Sequence, residues 1–517
     1  MSQRTGGSTL RKLAEATPPS RDRYVDLLRA FSICVVVLGH WLIAIIYIAD
    51  GKVTGENALH VVPGLWLATW VLQVMPLFFF VGGFSNLVTI DATKRRGGAY
   101  ADFIHGRVLR LMKPTAVMLA FWIPISIGVD LLSRVGDRTL ELATGVLTRP
   151  LWFIGIYLIM IALAPPMLSM HRRFGWKVLA VMVGGAALVD VLAIGVGLDS
   201  VAYVNFAFVW LFVHQLGFFY ADGTLLRLGR PVLWIMAAGG LVALIVLTTS
   251  GIYSPSMVGL RAERSNTNPP TIVIIALTVW QAGLAMLLRP ALSRWLENIG
   301  VWSKVIGLNV VIMTMFLWHQ TAMLLAVAVL YPLGFPQPIA GTAEWWAVRP
   351  MWVAALAVFL AVLVAIWGRF ERGGRSEMVK YGGGHGLARN TSSVVGTTLI
   401  LIGILGFAVS GFEAFASPNG DQLVFLEVNP LQNVVHLIIG WLLVRESLED
   451  PAAGAIAGAL RIMSIAAAAL LFPGRAIASA LALEMPGVLL YLFLAAALLV
   501  AVVLSGRSRS QAAAGLS

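Results

Sequence analysis

Arg29 and His40 are the first residues whose types and spacing could support chemistry. They lie in the stretch RDRYVDLLRAFSICVVVLGHWLIAIIYIAD, where His40 falls inside a long apolar run. Residues eleven positions apart on an α-helix lie on the same face, so Arg29 and His40 share a face about 16 Å apart along the axis. Asp26 lies on the same face. An ionisable group at bilayer depth is costly, so it is a functional-site candidate. A neutral imidazole there could accept a proton from a hydroxyl. The structural alternative is a buried, hydrogen-bonded histidine with an interfacial arginine.

Three more ionisable residues fall near the middle of apolar runs: Asp190, His214 and His319. Such groups are expected to face the bundle interior or a wet cavity, although ordinary hydrogen bonds between helices explain them equally well. Asp190 could orient His40, as the third member of a catalytic triad orients its base.

Three other kinds of site are not expected. No H-x-x-x-H or E-x-x-H pair supports a metal site, so no metal is predicted. A G-x-S-x-G elbow and nucleotide-binding glycine loops are also missing from the sequence.

The segment DATKRRGGAYADFIHGRVLRLMKP carries Arg107 and Arg110 three residues apart on a predicted short helix. Neighbouring guanidinium groups could grip one polyphosphate, or they could be membrane-flanking charge alone. Upstream, MPLFFFVGGFSN places Gly82, Gly83 and Ser85 together, where small residues admit either a neighbouring helix or a thin ligand tail.

The segment GIYSPSMVGLRAERSNTNPPT, residues 251–271, is predicted to be the longest polar outer loop within the first ten predicted helices. Its hydroxyl and amide side chains are suited to a hydroxylated ligand, although it could be only a connector. The candidate substrate-binding residues are Tyr253, Ser256, Asn266 and Asn268.

The composition indicates which kind of secondary structure positions these residues. The chain is 59% hydrophobic and 12% charged, with a mean hydropathy of +0.85. Apolar runs of about 20 residues recur, each long enough to cross a bilayer as a helix. The sequence therefore predicts an all-α integral membrane protein. The fourteen predicted spans are 27–49, 61–90, 114–132, 150–170, 177–196, 203–221, 231–250, 271–289, 306–333, 349–368, 394–416, 430–445, 455–472 and 486–505.

The basic residues orient these spans. Only eight of the 37 Lys and Arg residues fall on predicted outer segments, so both termini are predicted to be cytoplasmic. The +12 net charge then faces an anionic leaflet, and no nucleic-acid partner is needed to explain it.

A polar Gly- and Arg-rich linker divides the predicted helices into ten and four. The predicted domains are a basic tail (1–26), a ten-helix domain (27–368), the linker (369–393), a four-helix domain (394–505) and a cytoplasmic tail (506–517). Nothing in the sequence sets an oligomeric state.

Residues 20–370 resemble the membrane-bound acyltransferase 3 family, which O-acylates bacterial envelope glycans and glycolipids. The resemblance rests on RYVDLLRAFSICVVVLGHW, PLFFFVGGFSN, HGRVLRLMKP, LWFIGIYLIMIALAPPML and FLWHQ. It implies a ten-helix transmembrane bundle in which His40 is catalytic and Arg29 is its motif partner. It further implies that Arg107 and Arg110, with Ser85 nearby, hold cytoplasmic acyl-CoA as donor substrate, with no permanently bound cofactor.

The implied reaction moves an acyl group, with acetyl expected, from acyl-CoA to a hydroxyl of an envelope glycan or glycolipid. The outer loop is similar to that of members acting on trehalose-type lipids. The implied location is the inner (plasma) membrane. A direct general-base step and a transient acyl-histidine are both open.

Residues 394–505 resemble an uncharacterised four-helix bacterial membrane family through GILGFAVSGF and VNPLQNVVHLIIGWLL. In this part Asn429, Asn433 and His436 share a helix face, which predicts a polar network between helices. The alternative function for the whole chain is a multi-pass transporter of a lipid or sugar.

Overall fold

The computed structural model describes residues 10–49, 52–132, 137–259, 264–372, 386–471 and 480–514, and they are almost entirely helical. Within these ranges, thirteen helices are long and apolar enough to cross a membrane, which confirms the all-α integral membrane class. The α-helices are α1 Arg23–Ile43, α2 Ala58–Val61, α3 Ala68–Leu72, α4 Met75–Arg95, α5 Tyr100–Leu132, α6 Asp137–Phe174, α7 Lys177–Asp190, α8 Asn205–Ala221, α9 Arg230–Thr249, α10 Ile272–Trp295, α11 Ile299–Val310, α12 Ile312–Leu330, α13 Ala343–Arg372, α14 Leu387–Ser410, α15 Pro430–Glu449, α16 Pro451–Leu471 and α17 Met485–Ala514.

Three 3-10 helices (Leu65–Leu67, Asp199–Val204 and Leu225–Arg227) and two short antiparallel hairpins accompany the α-helices. β1 (Ala44–Ala49) pairs with β2 (Lys52–Asn57), and β3 (Asp421–Leu423) pairs with β4 (Leu426–Val428). A π-helical turn, Val191–Gly195, extends α7.

The first helix is shorter than predicted. It begins where the Asp22 side chain accepts hydrogen bonds from the backbone N–H groups of Tyr24 and Val25, an N-cap arrangement. It ends at Ile43 rather than at residue 49, because the following β-branched residues continue into the strand β1. His40 therefore lies in the last turn of α1 rather than in the middle of the helix predicted at 27–49.

Two predicted spans are interrupted. In the first, 61–90, the sequence predicts a break or kink at Pro76 with Gly82–Gly83, because the segment is too long for one straight span. The 61–90 segment breaks at Gln73 and Val74, whereas Pro76 lies in the first turn of α4 and the Gly82–Gly83 pair continues that helix. The 306–333 segment breaks at Val311, between α11 and α12.

Other boundaries also differ from the sequence expectation. The predicted span 430–445 is the 20-residue helix α15, which is not among the thirteen membrane candidates. Of the predicted linker, residues 373–385 lie outside the described residues, and helix flanks them on both sides. The predicted C-terminal tail is helical as far as Ala514.

The chain divides into two compact units. The first comprises Met1–Val88 and Pro166–Gly373, and the second comprises Thr89–Pro165 and Gly374–Ser517. In the first unit α9 pairs closely with α10, because Gly240 and Gly283 leave no room for a Cβ between their backbones. In the second unit α14 and α15 approach in the same way at Gly396 and Gly440.

Candidate active site

His40 and His319 form a hydrogen-bonded imidazole pair in the first unit. His40 Nδ1 lies 2.8 Å from His319 Nε2, and the ring planes differ by only 8°. His319 is fully buried in α12, whereas His40 is half-buried. The pair therefore joins one histidine enclosed by protein to one that is partly exposed.

The hydrogen bonds assign the tautomers of both rings. His319 Nδ1 lies 2.6 Å from the carbonyl oxygen of Phe316, which can only accept, so Nδ1 carries the proton. The neutral His319 ring therefore accepts at Nε2, and His40 must donate from Nδ1. Neutral His40 then has its basic lone pair on Nε2, the atom that a general base would use.

Several contacts hold the end of α1 that carries His40. The Trp41 indole donates to the His319 carbonyl oxygen at 3.1 Å, and the Tyr331 hydroxyl donates to the Ile46 carbonyl oxygen at 2.7 Å. Burial raises the pKa of Tyr331 to about 12, with the positive charge of Arg349 acting in the opposite direction, so the phenol is a donor at neutral pH.

Arg349 holds the same region from α13. Its Nη1 lies 3.4 Å from the Ala44 carbonyl oxygen, and its guanidinium lies 3.9 Å from the centre of the Trp345 ring. A cation at the C-terminus of a helix also interacts favourably with the helix dipole. Arg349 therefore supports the last turn of α1.

Arg29, the predicted motif partner of His40, belongs to a separate polar cluster on α1. It pairs with Asp26 at 3.2 Å and donates to Ser85 Oγ at 2.9 Å. Asp26 also accepts from Arg21 at 2.6 Å. The structure thus brings Arg29 and Ser85 together, but eleven helical residues separate Arg29 from His40, about 16 Å along the axis.

The small residues of α4 pack against a helix. An added Cβ at Gly83 would overlap the carbonyl oxygen of His214, and one at Gly217 would overlap that of Phe80. This close crossing of α4 and α8 brings Asn86 Nδ2 to 3.0 Å from His214 Nε2, and both residues are buried. At Gly83 the helix-packing interpretation of the sequence is therefore the correct one.

Arg107 and Arg110 lie in the second unit. The predicted short helix is the first part of the 33-residue helix α5. Arg107 is half-buried and donates to Thr89 Oγ1 at 2.8 Å, whereas Arg110 is exposed.

The hydrogen-bond partners of Asp190 do not include His40. Its carboxylate accepts from Asn205 Nδ2 at 2.7 Å, from the Tyr253 hydroxyl at 3.0 Å and from the Ile272 backbone N–H at 2.9 Å. Burial, with the negative charge of Asp190 nearby, raises the pKa of Tyr253, so the phenol remains a donor. The predicted catalytic role of Asp190 is therefore replaced by a structural one, in which it fastens the outer loop to the start of α10.

Most of the predicted substrate-binding residues serve the outer loop itself. Asn266 donates to the carbonyl oxygens of Ser254 and Ser256 at 2.7 and 2.8 Å, and Ser256 is fully buried. Tyr253 is engaged by Asp190, so of the four candidates only Asn268 has an exposed side chain. Several of the polar side chains that favoured a ligand site thus satisfy backbone groups of the loop itself.

Replacing Asp190 with alanine is expected to lower the free energy of unfolding by about 1–3 kcal/mol, because buried donors lose their acceptor. Thermal unfolding in detergent measures the change. The matched control is Asp199→Ala, since this carboxylate is 76% exposed and binds only Arg264, also largely exposed. If the melting temperature is unchanged but the rate of the expected acyl transfer falls more than about 10²-fold, Asp190 has a catalytic role after all.

Both helix breaks are filled by protein groups. The Glu371 carboxylate accepts from the backbone N–H groups of Met313 and Thr314 at 3.0 and 2.8 Å, which caps α12 at its start. At the other break, Gln73 Nε2 donates to Thr267 Oγ1 at 3.0 Å, and the Gln73 carbonyl oxygen accepts from Gln281.

The predicted polar network of the C-terminal part is confirmed. Asn429 caps α15 by accepting from the Gln432 N–H, Asn433 donates to Ser410 Oγ at 3.0 Å, and His436 Nε2 lies 2.7 Å from the Tyr491 hydroxyl. These bonds tie α15 to its neighbours and need no catalytic explanation.

Sequence reasoning had assigned no role to Arg349 or Glu371 and had not paired His319 with His40. Two signals marked His319 itself: its place within an apolar run and the FLWHQ motif. Within the described ranges, no group of three or more His, Cys, Asp or Glu side chains could hold a metal ion.

The comparisons with known proteins agree with both resemblances. Residues 22–369 match a family described as an acyltransferase domain, and residues 389–504 match a domain of unknown function, DUF4383. No curated protein and no solved structure matches the chain. The first match covers about two thirds of the sequence, and with the membrane helices it indicates a multi-pass membrane acyltransferase.

Proposed function

The chain belongs to the acyltransferase-domain family, and from that premise we propose that it is an O-acyltransferase using cytoplasmic acyl-CoA. The proposed acyl group is acetyl. The proposed acceptor is a hydroxyl of an envelope glycan or glycolipid, of the trehalose-lipid type. The proposed location is the inner (plasma) membrane, with both chain termini in the cytoplasm.

One observation carries the proposal: the hydrogen bond between His40 and His319. A base for hydroxyl deprotonation needs an uncharged nitrogen with a fixed lone pair and a partner that holds the ring. The Phe316 carbonyl oxygen fixes His319, and His319 in turn fixes His40 with its lone pair on Nε2. Enclosure of His319 favours an uncharged ring, because burying a charge is costly.

In the proposed reaction His40 Nε2 takes the proton of the acceptor hydroxyl while that oxygen attacks the thioester carbonyl carbon. The carbon–oxygen bond forms, the tetrahedral intermediate collapses, and the carbon–sulfur bond breaks. The leaving CoA thiolate recovers the proton from His40, so the products are the ester and free CoA. A base positioned in this way contributes about 10²–10⁴ in rate.

The variant with a transient acyl-histidine uses the same lone pair. There, His40 Nε2 attacks the thioester carbonyl carbon, the carbon–sulfur bond breaks, and CoA leaves as the thiolate. The acceptor oxygen then attacks the acyl carbon, the carbon–nitrogen bond to His40 breaks, and the hydroxyl proton neutralises the CoA thiolate. Release of CoA before any acceptor is added would distinguish this route from direct transfer.

Donor binding is assigned to Arg107 and Arg110, which lie three residues apart on α5. Exposed Arg110 and half-buried Arg107 offer two guanidinium groups to the phosphates of CoA. For the acceptor, exposed Asn268 of the outer loop is the remaining candidate contact.

The transporter alternative is less well supported. Transporters place substrates at broken helices, where half-helix ends remain free to bind them. At the two breaks described above, protein side chains occupy those positions: Glu371 caps α12, and Gln73 and Gln281 bridge the other break.

Purified protein incubated with radiolabelled acetyl-CoA and a bacterial envelope lipid extract is expected to yield labelled lipid and free CoA in equal amounts. Arg107→Ala is expected to raise the KM for acetyl-CoA about tenfold, because charge-assisted hydrogen bonds to phosphate are lost. Arg294→Ala removes an exposed arginine of α10, in the first unit, and is the control. Absence of label transfer by the wild type would refute the proposed function.

A further inference from the structure

The second unit contains a buried ion pair between α5 and the first helix of the DUF4383 match. Arg389 of α14 binds Asp102 of α5, and their side chains are only 7% and 1% exposed. The second Asp102 oxygen accepts from the Ala99 backbone N–H at 2.6 Å, so the same carboxylate also caps the start of α5. A charge pair this enclosed holds its two helices in one relative position.

Further contacts show that α14 accompanies α5 along its length. Ser126 Oγ of α5 donates to the Phe412 carbonyl oxygen, just beyond the end of α14, at 2.8 Å. Ser126 follows Asp102 by 24 residues and Phe412 follows Arg389 by 23, so the two helices run parallel and in register. Leu405 of α14 also fills the space over Gly155 of α6, where a Cβ would overlap it.

The arginines assigned to the donor follow Asp102 on the same helix. Arg107 and Arg110 lie five and eight residues after it, within about 12 Å along the axis. Because a helix turns as a rigid body, fixing Asp102 also fixes the direction in which both guanidinium groups leave α5. The hydrogen bond from Arg107 to Thr89 is consistent with a helix held in one rotation.

We propose that the C-terminal four-helix region is a brace for the donor-binding helix α5, with Arg389 as its positioning residue. This role rests on the proposed donor function of Arg107 and Arg110. It assigns to the domain of unknown function a part in recognising a nucleotide thioester. That part is distinct from the acyl-transfer chemistry at His40.

Arg389→Met is expected to raise the KM for acetyl-CoA by about tenfold to a hundredfold, with kcat changed less than about threefold. Arg389→Lys keeps the charge and should restore most of the affinity. The matched control is Arg461→Met, which breaks the Glu446–Arg461 pair between α15 and α16 and should leave the KM unchanged. If Arg389→Met does not fold, Ser126→Ala is the milder test and should raise the same KM about threefold.

The outcomes separate the brace from the donor site. A wild type that does not bind acetyl-CoA in titration calorimetry overturns the donor role of Arg107 and Arg110, and the brace with it. The brace alone is overturned if the wild type binds acetyl-CoA and Arg107→Ala binds it more weakly, but Arg389→Met and Ser126→Ala bind it as the wild type does. Equal KM changes in Arg389→Met and Arg461→Met also overturn it, because the effect would then be general destabilisation.

Discussion

Replacement of His40 with alanine is expected to lower the rate of acyl transfer by about 10²–10⁴, the usual contribution of a positioned general base. The loss should fall on kcat, because His40 is assigned to the proton of the acceptor hydroxyl and not to the CoA phosphates. Initial rates with labelled acetyl-CoA measure kcat, and titration calorimetry measures the retained affinity for the donor.

His40→Gln provides the matched control for this prediction. Its amide N–H can replace the bond that His40 Nδ1 donates to His319, but glutamine has no basic nitrogen. If His40 is the base, the glutamine variant is as inactive as the alanine variant. Recovery of the rate in His40→Gln would mean that His40 only holds His319, and the general-base assignment would be wrong.

The membrane helices were predictable from the sequence because apolar length alone indicates them. A run of about 20 apolar residues has few other stable structures in a bilayer. The break in 61–90 lies just before Pro76, which marks it in the sequence, whereas the break at Val311 has no such local signal. The groups that satisfy both breaks are far away in the chain. The Glu371 carboxylate that caps α12 lies 57 residues after Thr314, and Gln281 reaches Gln73 from 208 residues away.

The candidate site was predicted in part. Helical spacing correctly grouped Asp26 with Arg29, since residues three apart are neighbours on a helix. The partner of His40 could not be derived by spacing, because 279 positions separate it from His319. Its place within an apolar run and the FLWHQ motif marked His319 as a candidate, but neither identified His40 as its partner.

The hydrogen bonds found at Asp190 and in the outer loop have a common physical cause. A polar residue near an apolar segment was assigned to chemistry, but buried backbone groups also need hydrogen-bond partners. Asp190 satisfies the Ile272 N–H and Asn266 satisfies two loop carbonyl oxygens. The sequence does not distinguish these two uses of a polar side chain, since both require the same atoms.

His319→Leu is expected to lower kcat by about 10²-fold while leaving the KM for acetyl-CoA unchanged. Leucine removes the acceptor that keeps the His40 proton on Nδ1. The proton can then move to Nε2, which removes the basic lone pair from that atom. His319 makes no contact with substrate in this proposal, and it acts only by positioning His40. Steady-state kinetics of the purified variant, after its melting temperature is checked, separate kcat from KM.

His319→Gln tests whether the acceptor is what matters. The amide oxygen of glutamine can accept from His40 Nδ1, so this variant should keep its rate within about tenfold of the wild type. A glutamine variant slower than the leucine variant, or a leucine variant with full activity, would contradict the positioning role. The wild-type pair would then be a packing contact, and the tautomer of His40 would have to be set by other neighbours.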